Sequence, residues 1–161
     1  MNWILTMSLT VCLHHSWFIK PIPFQSLIIN KACHAQISPR IVAALIATES
    51  GFNRNALRYE SRVNDYSVGL MQIRMGTAKM LGYTGSLSKL KLPWVNIYYG
   101  TRYLKNCLVR YPNNWDGIVA YNQGRPLWDD ERNQYILPNG RPQHYANIVQ
   151  GKLLKITSPS Y

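Results

Sequence analysis

The sequence predicts a mostly α fold with at most a small β element, and three stretches carry that prediction. Ile41 to Thr48 is an uncharged run opened by Ser38-Pro39 and closed by Gly51. Trp94 to Arg110 is amphipathic and stops just before Pro112. Tyr145, Ile148, Val149 and Leu153 recur at helical spacing near the end of the chain. With 161 residues, 47% hydrophobic and 16% charged, the chain has length and apolar content for one compact domain and is not of the disordered class.

Residues 1–25 form an N-terminal apolar segment set apart from a single domain over 26–161. Within it Trp3 to Leu13 is too short to span a bilayer as a helix. Its length suits the apolar part of an export signal, but no Lys or Arg precedes it. Leu9-Thr10-Val11-Cys12 partly fits a lipoprotein processing site, except that Val11 is too large. A cleaved leader and a buried or disordered N-terminal arm therefore both stand as readings. Ser38 can cap the next helix, Pro39 suits its first position, and Ile41, Val42, Ala44, Leu45 and Ile46 supply a wide apolar face. Gly51 is the expected stop.

Residues 52–68 are polar and rich in turn formers, which predicts a loop. Gly69 to Ile73 is a short apolar piece, a turn or a short strand, and Thr77 to Leu81 is a helix ended by Gly82. In the helix from Trp94 to Arg110 the buried side is Val95, Ile97, Tyr98, Tyr103, Leu104, Cys107 and Leu108. Asn114 caps a short helix to Tyr121. Gly124, Pro126, Pro138, Gly140 and Pro142 make residues 123–142 a long loop or a small hairpin. The last helix covers about 143–155, with Lys152 and Lys155 on a solvated face.

Lys and Arg number 18 against 7 acids, a formal charge of +11. This excess implies an anionic partner, whether nucleic acid, membrane surface or cell-wall polymer, but charge alone does not choose among them. No basic-aromatic motif of a nucleic-acid binder is present, so nucleic acid is disfavoured. Three cysteines and four histidines show no metal-ligand spacing. Cys33 and Cys107 either pair after export, with Cys12 lost in a leader, or stay as small buried residues. His14, His15, His34 and His144 look incidental.

Among the seven acids Glu49 stands out. It ends a helix with no other charge from Ile41 onward. An apolar setting and the negative end of the helix dipole both raise a carboxyl pKa. A carboxylic acid that keeps its proton near neutral pH can give it to a leaving oxygen, as glycosidic cleavage requires. A glutamate that simply turns out to solvent is the alternative.

The residues downstream of Glu49 bear on that choice. Glu49-Ser50-Gly51-Phe52-Asn53, Val68-Gly69-Leu70-Met71-Gln72-Ile73, Thr77-Ala78 and Ala120-Tyr121-Asn122-Gln123-Gly124 occur in one order. Together they resemble the catalytic domain of soluble lytic transglycosylases, whose fold is that of goose-type lysozyme. Ile37-Ser38-Pro39 resembles the lead-in to that family's first catalytic helix, and Asn96-Ile97, Gly100 and Tyr103-Leu104 resemble a later one. The likeness covers about residues 30–150.

The resemblance implies cleavage of the β-1,4 bond between N-acetylmuramic acid and N-acetylglucosamine in peptidoglycan, with a 1,6-anhydro product and no cofactor or metal. It makes Glu49 the acid and then the base. Gln72 becomes a groove residue that binds sugar, with Leu70 and Met71 packed beneath. Tyr121 and Asn122 lie near the reacting bond, and Tyr145 is either structural or a ligand contact. Asp65 resembles a position that is acidic or serine among relatives, and Ser67 joins Gln72, Tyr121, Asn122 and Tyr145 as an expected substrate-binding residue. If Asp65 faced Glu49 it could orient a water, and the enzyme would be a hydrolytic muramidase. The stretch from Glu49 to Gln72 is longer than in many members and adds Glu60 and Asp65. Arg141 stands where many members carry a glutamate. The implied partner is the glycan strand, met by a monomer in the periplasm or envelope, with a phage particle or secretion apparatus as a further associate. A wall-binding component without activity is the rival outside the enzyme class.

Overall fold

A computed structural model describes residues 8–14, 16–111, 114–123, 127–129, 134–136 and 144–157. Two helices, α1 (Leu9–His14) and α2 (Gln25–His34), lead into α3 (Pro39–Glu49). A three-stranded antiparallel sheet comes next, with β1 (Leu57–Glu60), β2 (Asp65–Val68) and β3 (Ile73–Arg74) in that spatial order. Then come α4 (Met75–Met80), α5 (Leu87–Leu90), α6 (Pro93–Arg110) and α7 (Asn114–Gln123). A small antiparallel pair, β4 (Leu127–Asp129) with β5 (Gln134–Ile136), precedes α8 (His144–Thr157).

The helix α3 is the axis of the domain. Ile41 to Ile46 are all fully buried, and a helix that is apolar all round has to be enclosed by its neighbours. α2 and α8 pack on it, while α6 joins α2 to α7. Pro39 opens the helix as expected, but the Ser38 side chain makes no capping bond. The Ser38 carbonyl takes the amides of Ile41 and Val42 instead. Gly51 ends the helix at φ +58°, a conformation that favours glycine.

A polar knot ties the sheet to α6. Asn96 is fully buried, and its Nδ2 donates to the carbonyls of Val68 (2.8 Å) and Leu90 (3.0 Å). Its Oδ1 accepts the Met71 amide at 2.8 Å. Gly69, at φ +72°, lies so close that a Cβ there would sit 2.5 Å from Asn96 Nδ2. On the next turn of α6, a Cβ on Gly100 would meet Met71 Sδ at 2.4 Å. The 69–73 segment is thus a turn clamped onto α6, running into β3.

The structure corrects several expectations. Residues 52–68 hold the β1–β2 hairpin, not a plain loop; three of the four β1 residues are exposed, so it lacks the apolar alternation that reveals a strand. Helix α2 falls in a stretch with no helix expected, and its apolar moment is diluted by Gln25, Asn30 and Lys31. Tyr98 and Ile148 are exposed rather than core. Cys33 pairs with Cys12, with Cα atoms 5.6 Å apart, because its buried side meets α1; Cys107 is a free buried thiol. Cys12 and Phe18 are buried, and Arg40 Nε donates to the Trp17 carbonyl at 2.7 Å, so this N-terminal stretch packs with the domain. Among the described residues no helix is long and apolar enough to cross a membrane.

Removing the Asn96 amide would leave the Met71 amide without this partner and take one donor from each of the Val68 and Leu90 carbonyls. Asn96→Ala is expected to cost about 2–4 kcal/mol, read as a lower midpoint in denaturant unfolding with the slope unchanged.

Candidate active site

Glu49, the last residue of α3, lies in a cleft of about 770 Å³. The hairpin lines it with Arg58, Glu60 and Ser67, and Gln72 and Arg74 extend that wall. Tyr121 and Asn122 of α7 line it as well. Helix α8 reaches the same carboxyl through Tyr145, whose hydroxyl donates a hydrogen bond to Glu49 Oε1.

Burial is the largest influence on Glu49 and raises its pKa above the ordinary 4.5. The Tyr145 hydroxyl, the Arg58 charge and the Asn122 side chain each favour the ionised form, while the Glu60 charge opposes it. The balance stays raised, in the direction expected of a desolvated acid at a helix C-terminus. Such a group holds its proton at a pH where an exposed carboxyl has lost it, so it can act as an acid and, once ionised, as a base.

The neighbouring side chains are mostly committed to one another. Tyr121 is buried, its hydroxyl donates to the Met71 carbonyl at 2.7 Å, and burial followed by the Glu49 charge pushes its pKa far up. It fastens the 69–72 turn to α7 as a neutral phenol. Tyr145 is likewise buried, and it contacts the acid without lining the cleft. Gln72 does line the cleft; it sits at φ +44° and its Nε2 donates to the Gly69 carbonyl at 3.0 Å. Leu70 and Met71 are fully buried, as packing residues are.

Asp65 is not among the cleft-lining residues. Its Oδ1 accepts the Tyr66 amide at 2.7 Å and its Oδ2 accepts the Gly76 amide at 2.9 Å, which fixes β2 to the first turn of α4. Among the described residues the second carboxylate of the cleft is Glu60, whose Oε1 accepts from Ser67 Oγ (2.8 Å) and Arg58 Nε (2.7 Å). Partial burial raises the Glu60 pKa, but the Ser67 and Arg58 bonds outweigh it and hold the group below its ordinary value. Ser67 is therefore a support for Glu60. The alternation Arg58-x-Glu60 is the one signal of this wall in the sequence, and it shows only when the stretch is read as a strand. Arg141 lies outside the described residues. Among those described, no group of three or more His, Cys, Asp or Glu is placed to hold a metal ion.

A central buried helix ending in an acid beside a small sheet defines a lysozyme-like fold, and solved structures bear this out. The lytic transglycosylase Slt of Pseudomonas aeruginosa superposes with a TM-score of 0.62 at 23% identity, over 86% of this chain and 25% of that one. The 70-kDa soluble lytic transglycosylase of Escherichia coli gives 0.54 at 30% identity, over 65% of this chain and 17% of its own. Residues 26–138 match the family described as the transglycosylase SLT domain, and the chain belongs to that family. Enterobacteria phage PRD1 has a transglycosylase 31% identical over 77% of this chain. The endo-type membrane-bound lytic murein transglycosylase A of Cronobacter sakazakii is 45% identical over 42% of it. The chain spans 43% and 34% of the lengths of these two relatives.

A carboxyl with a raised folded-state pKa adds stability that is fully present below 4.5 and is lost as pH rises through the folded value. Glu49→Gln, which cannot ionise, should therefore melt higher than the parent chain at pH 7 and no higher below pH 4. Each kcal/mol recovered corresponds to roughly 2–4 °C in a thermal melt.

Proposed function

We propose that this domain cuts peptidoglycan glycan strands as a lytic transglycosylase, with Glu49 as acid and then base. The observation that carries the reading is the half-buried Glu49 carboxyl, raised in pKa and open to the cleft. The protonated carboxyl gives its hydrogen to the oxygen bridging N-acetylmuramic acid and N-acetylglucosamine. The bond from the muramyl C1 to that oxygen then breaks, and positive character builds on the muramyl ring. The Glu49 carboxylate, now steadied by Tyr145 and Asn122, takes the proton of the muramyl 6-hydroxyl. The oxygen of that hydroxyl bonds to C1, leaving a 1,6-anhydro end and restoring the acid. Tyr145 engages Oε1 of this carboxyl.

Hydrolysis would need a second base to activate water. Among the described residues Glu60, held below its ordinary pKa by Ser67 and Arg58, is a weak base, and Asp65 is occupied elsewhere. This supports the anhydro outcome over the muramidase one. Gln72, Asn122 and the groove around them take the sugars. The phage transglycosylase and the membrane-bound murein transglycosylase among the relatives support a domain that acts on the wall in the cell envelope. It works there as a monomer, free or carried by a phage particle or secretion apparatus.

Digestion of sacculi should yield anhydromuramic ends by mass spectrometry, and Glu49→Gln should lower the yield by about 10²–10⁴-fold. Reducing ends would instead indicate hydrolysis. Tyr145→Phe removes a donor that favours the carboxylate, so the alkaline limb of the pH–rate profile should move to higher pH.

A further inference from the structure

Helix α6 turns a ridge away from the cleft. Trp94, Tyr98, Arg102 and Val109 are exposed and recur at helical spacing, with Lys105 half-buried between them. Tyr103, which lines the cleft, comes about two and a half turns after Trp94 and so stands on the opposite side of the helix. Trp94, Val109 and, at the end of α4, Met80 are 59%, 64% and 79% exposed, large apolar groups that the described residues leave in solvent.

The cations of this face gather around one ring. Lys31 Nζ of α2 lies 5.9 Å from the centre of the Tyr98 ring, and Arg102 Cζ lies 5.4 Å from it. Arg102 Nη1 also donates to the Leu81 carbonyl at 3.2 Å, which brings the end of α4 and Met80 alongside. Lys105 Nζ donates to Gln36 Oε1 at 3.4 Å, just past α2. Tyr99 meets the Tyr98 ring edge-on and is itself packed on Tyr83. A ring face, a carbonyl and an amide position these cations without cancelling their charge. No acid of the same helices cancels it either, because residues 1–48 and 66–115 contain neither Asp nor Glu.

Cations alone would suit any polyanion. A bilayer differs in having an apolar layer beneath its phosphates, where Trp and Tyr collect and exposed apolar tips leave water. Lys and Arg stems can lie along that layer with their charges at the phosphates. We propose that the α6 ridge, flanked by Lys31, Arg102 and Lys105, is a docking surface for a membrane that carries anionic phospholipid, with the cleft turned away from the lipid. The inference goes beyond the proposed cleavage and does not depend on it.

The test is co-sedimentation of the full chain with phosphatidylcholine vesicles that contain or lack phosphatidylglycerol. Binding should require phosphatidylglycerol and weaken as salt is added. Tryptophan emission should shift to the blue on binding, and Trp94→Phe should remove that shift. Lys31→Gln with Arg102→Gln should weaken vesicle binding roughly tenfold or more. The charge-matched pair Lys152→Gln with Lys155→Gln, on the α8 helix that packs on α3 and α7, should weaken it by no more than about twofold. Sacculi are the comparison, an acidic polymer without a bilayer. In a Glu49→Gln background, which leaves strands uncut, both pairs of variants should bind sacculi alike. Equal losses for the two pairs on vesicles, an emission shift that Trp94→Phe leaves in place, or a Lys31–Arg102 loss seen on sacculi instead, overturns the surface. The emission shift is read in the unaltered chain and so stands whether or not a charge variant folds. No strand is cut in these measurements, so a failure of the wild-type chain to cut sacculi bears on the proposed activity alone.

Discussion

Taking a carboxyl group out of water at the negative end of a helix is unfavourable, and the domain is arranged so that this one group tolerates it. Helix α3 can carry Glu49 into the interior because Ile41 to Ile46 bury fully and offer no charge of their own to partner it. Helix α8 then returns across α3 and supplies the Tyr145 hydroxyl to one carboxyl oxygen. The phenol satisfies a lone pair without adding charge. The acid is held in place, but its proton is not taken by a fixed base. Two elements far apart in sequence, at residues 49 and 145, thus define one chemical group.

The second wall is built independently and then clamped on. Asn96 and Gly69 fix the turn before β3 against α6, and Tyr121 fixes the same turn against α7 through the Met71 carbonyl. With that turn anchored from both sides, the hairpin stands at a set height over Glu49. Asp65 belongs to this scaffolding because its carboxylate binds the amide of Gly76 at the start of α4. Glu60 faces the cleft instead, and its pairing with Arg58 and Ser67 sets it apart from Glu49: of the two acids that line the cleft among the described residues, one has its pKa raised by burial and the other lowered by its partners.

The parts legible in the sequence are those governed by helical period and by punctuation. The uncharged run to Glu49, Pro39, Gly51 and the amphipathic stretch before Pro112 each act locally, so α3 and α6 can be read within a residue or so of their ends. The hairpin is not legible, because strands that serve a polar cleft expose Arg58 and Tyr59 and carry no apolar alternation. Choosing between Asp65 and Glu60 needs the direction each side chain takes, which spacing does not encode when the residues are opposite one another in the same ladder. The Cys12–Cys33 bond needs the packing of α1 on α2, a pairing that no local pattern announces.

Central to all of this is that Glu49 keeps its proton where an ordinary glutamate has released it. Titration of the glutamate side-chain carboxyls by ¹³C NMR, with Glu49→Gln used to assign the resonance, tests this without substrate. The predicted result is a Glu49 midpoint above 4.5, with the Glu60 midpoint below that value. A Glu49 midpoint at or beneath that of Glu60 would contradict it.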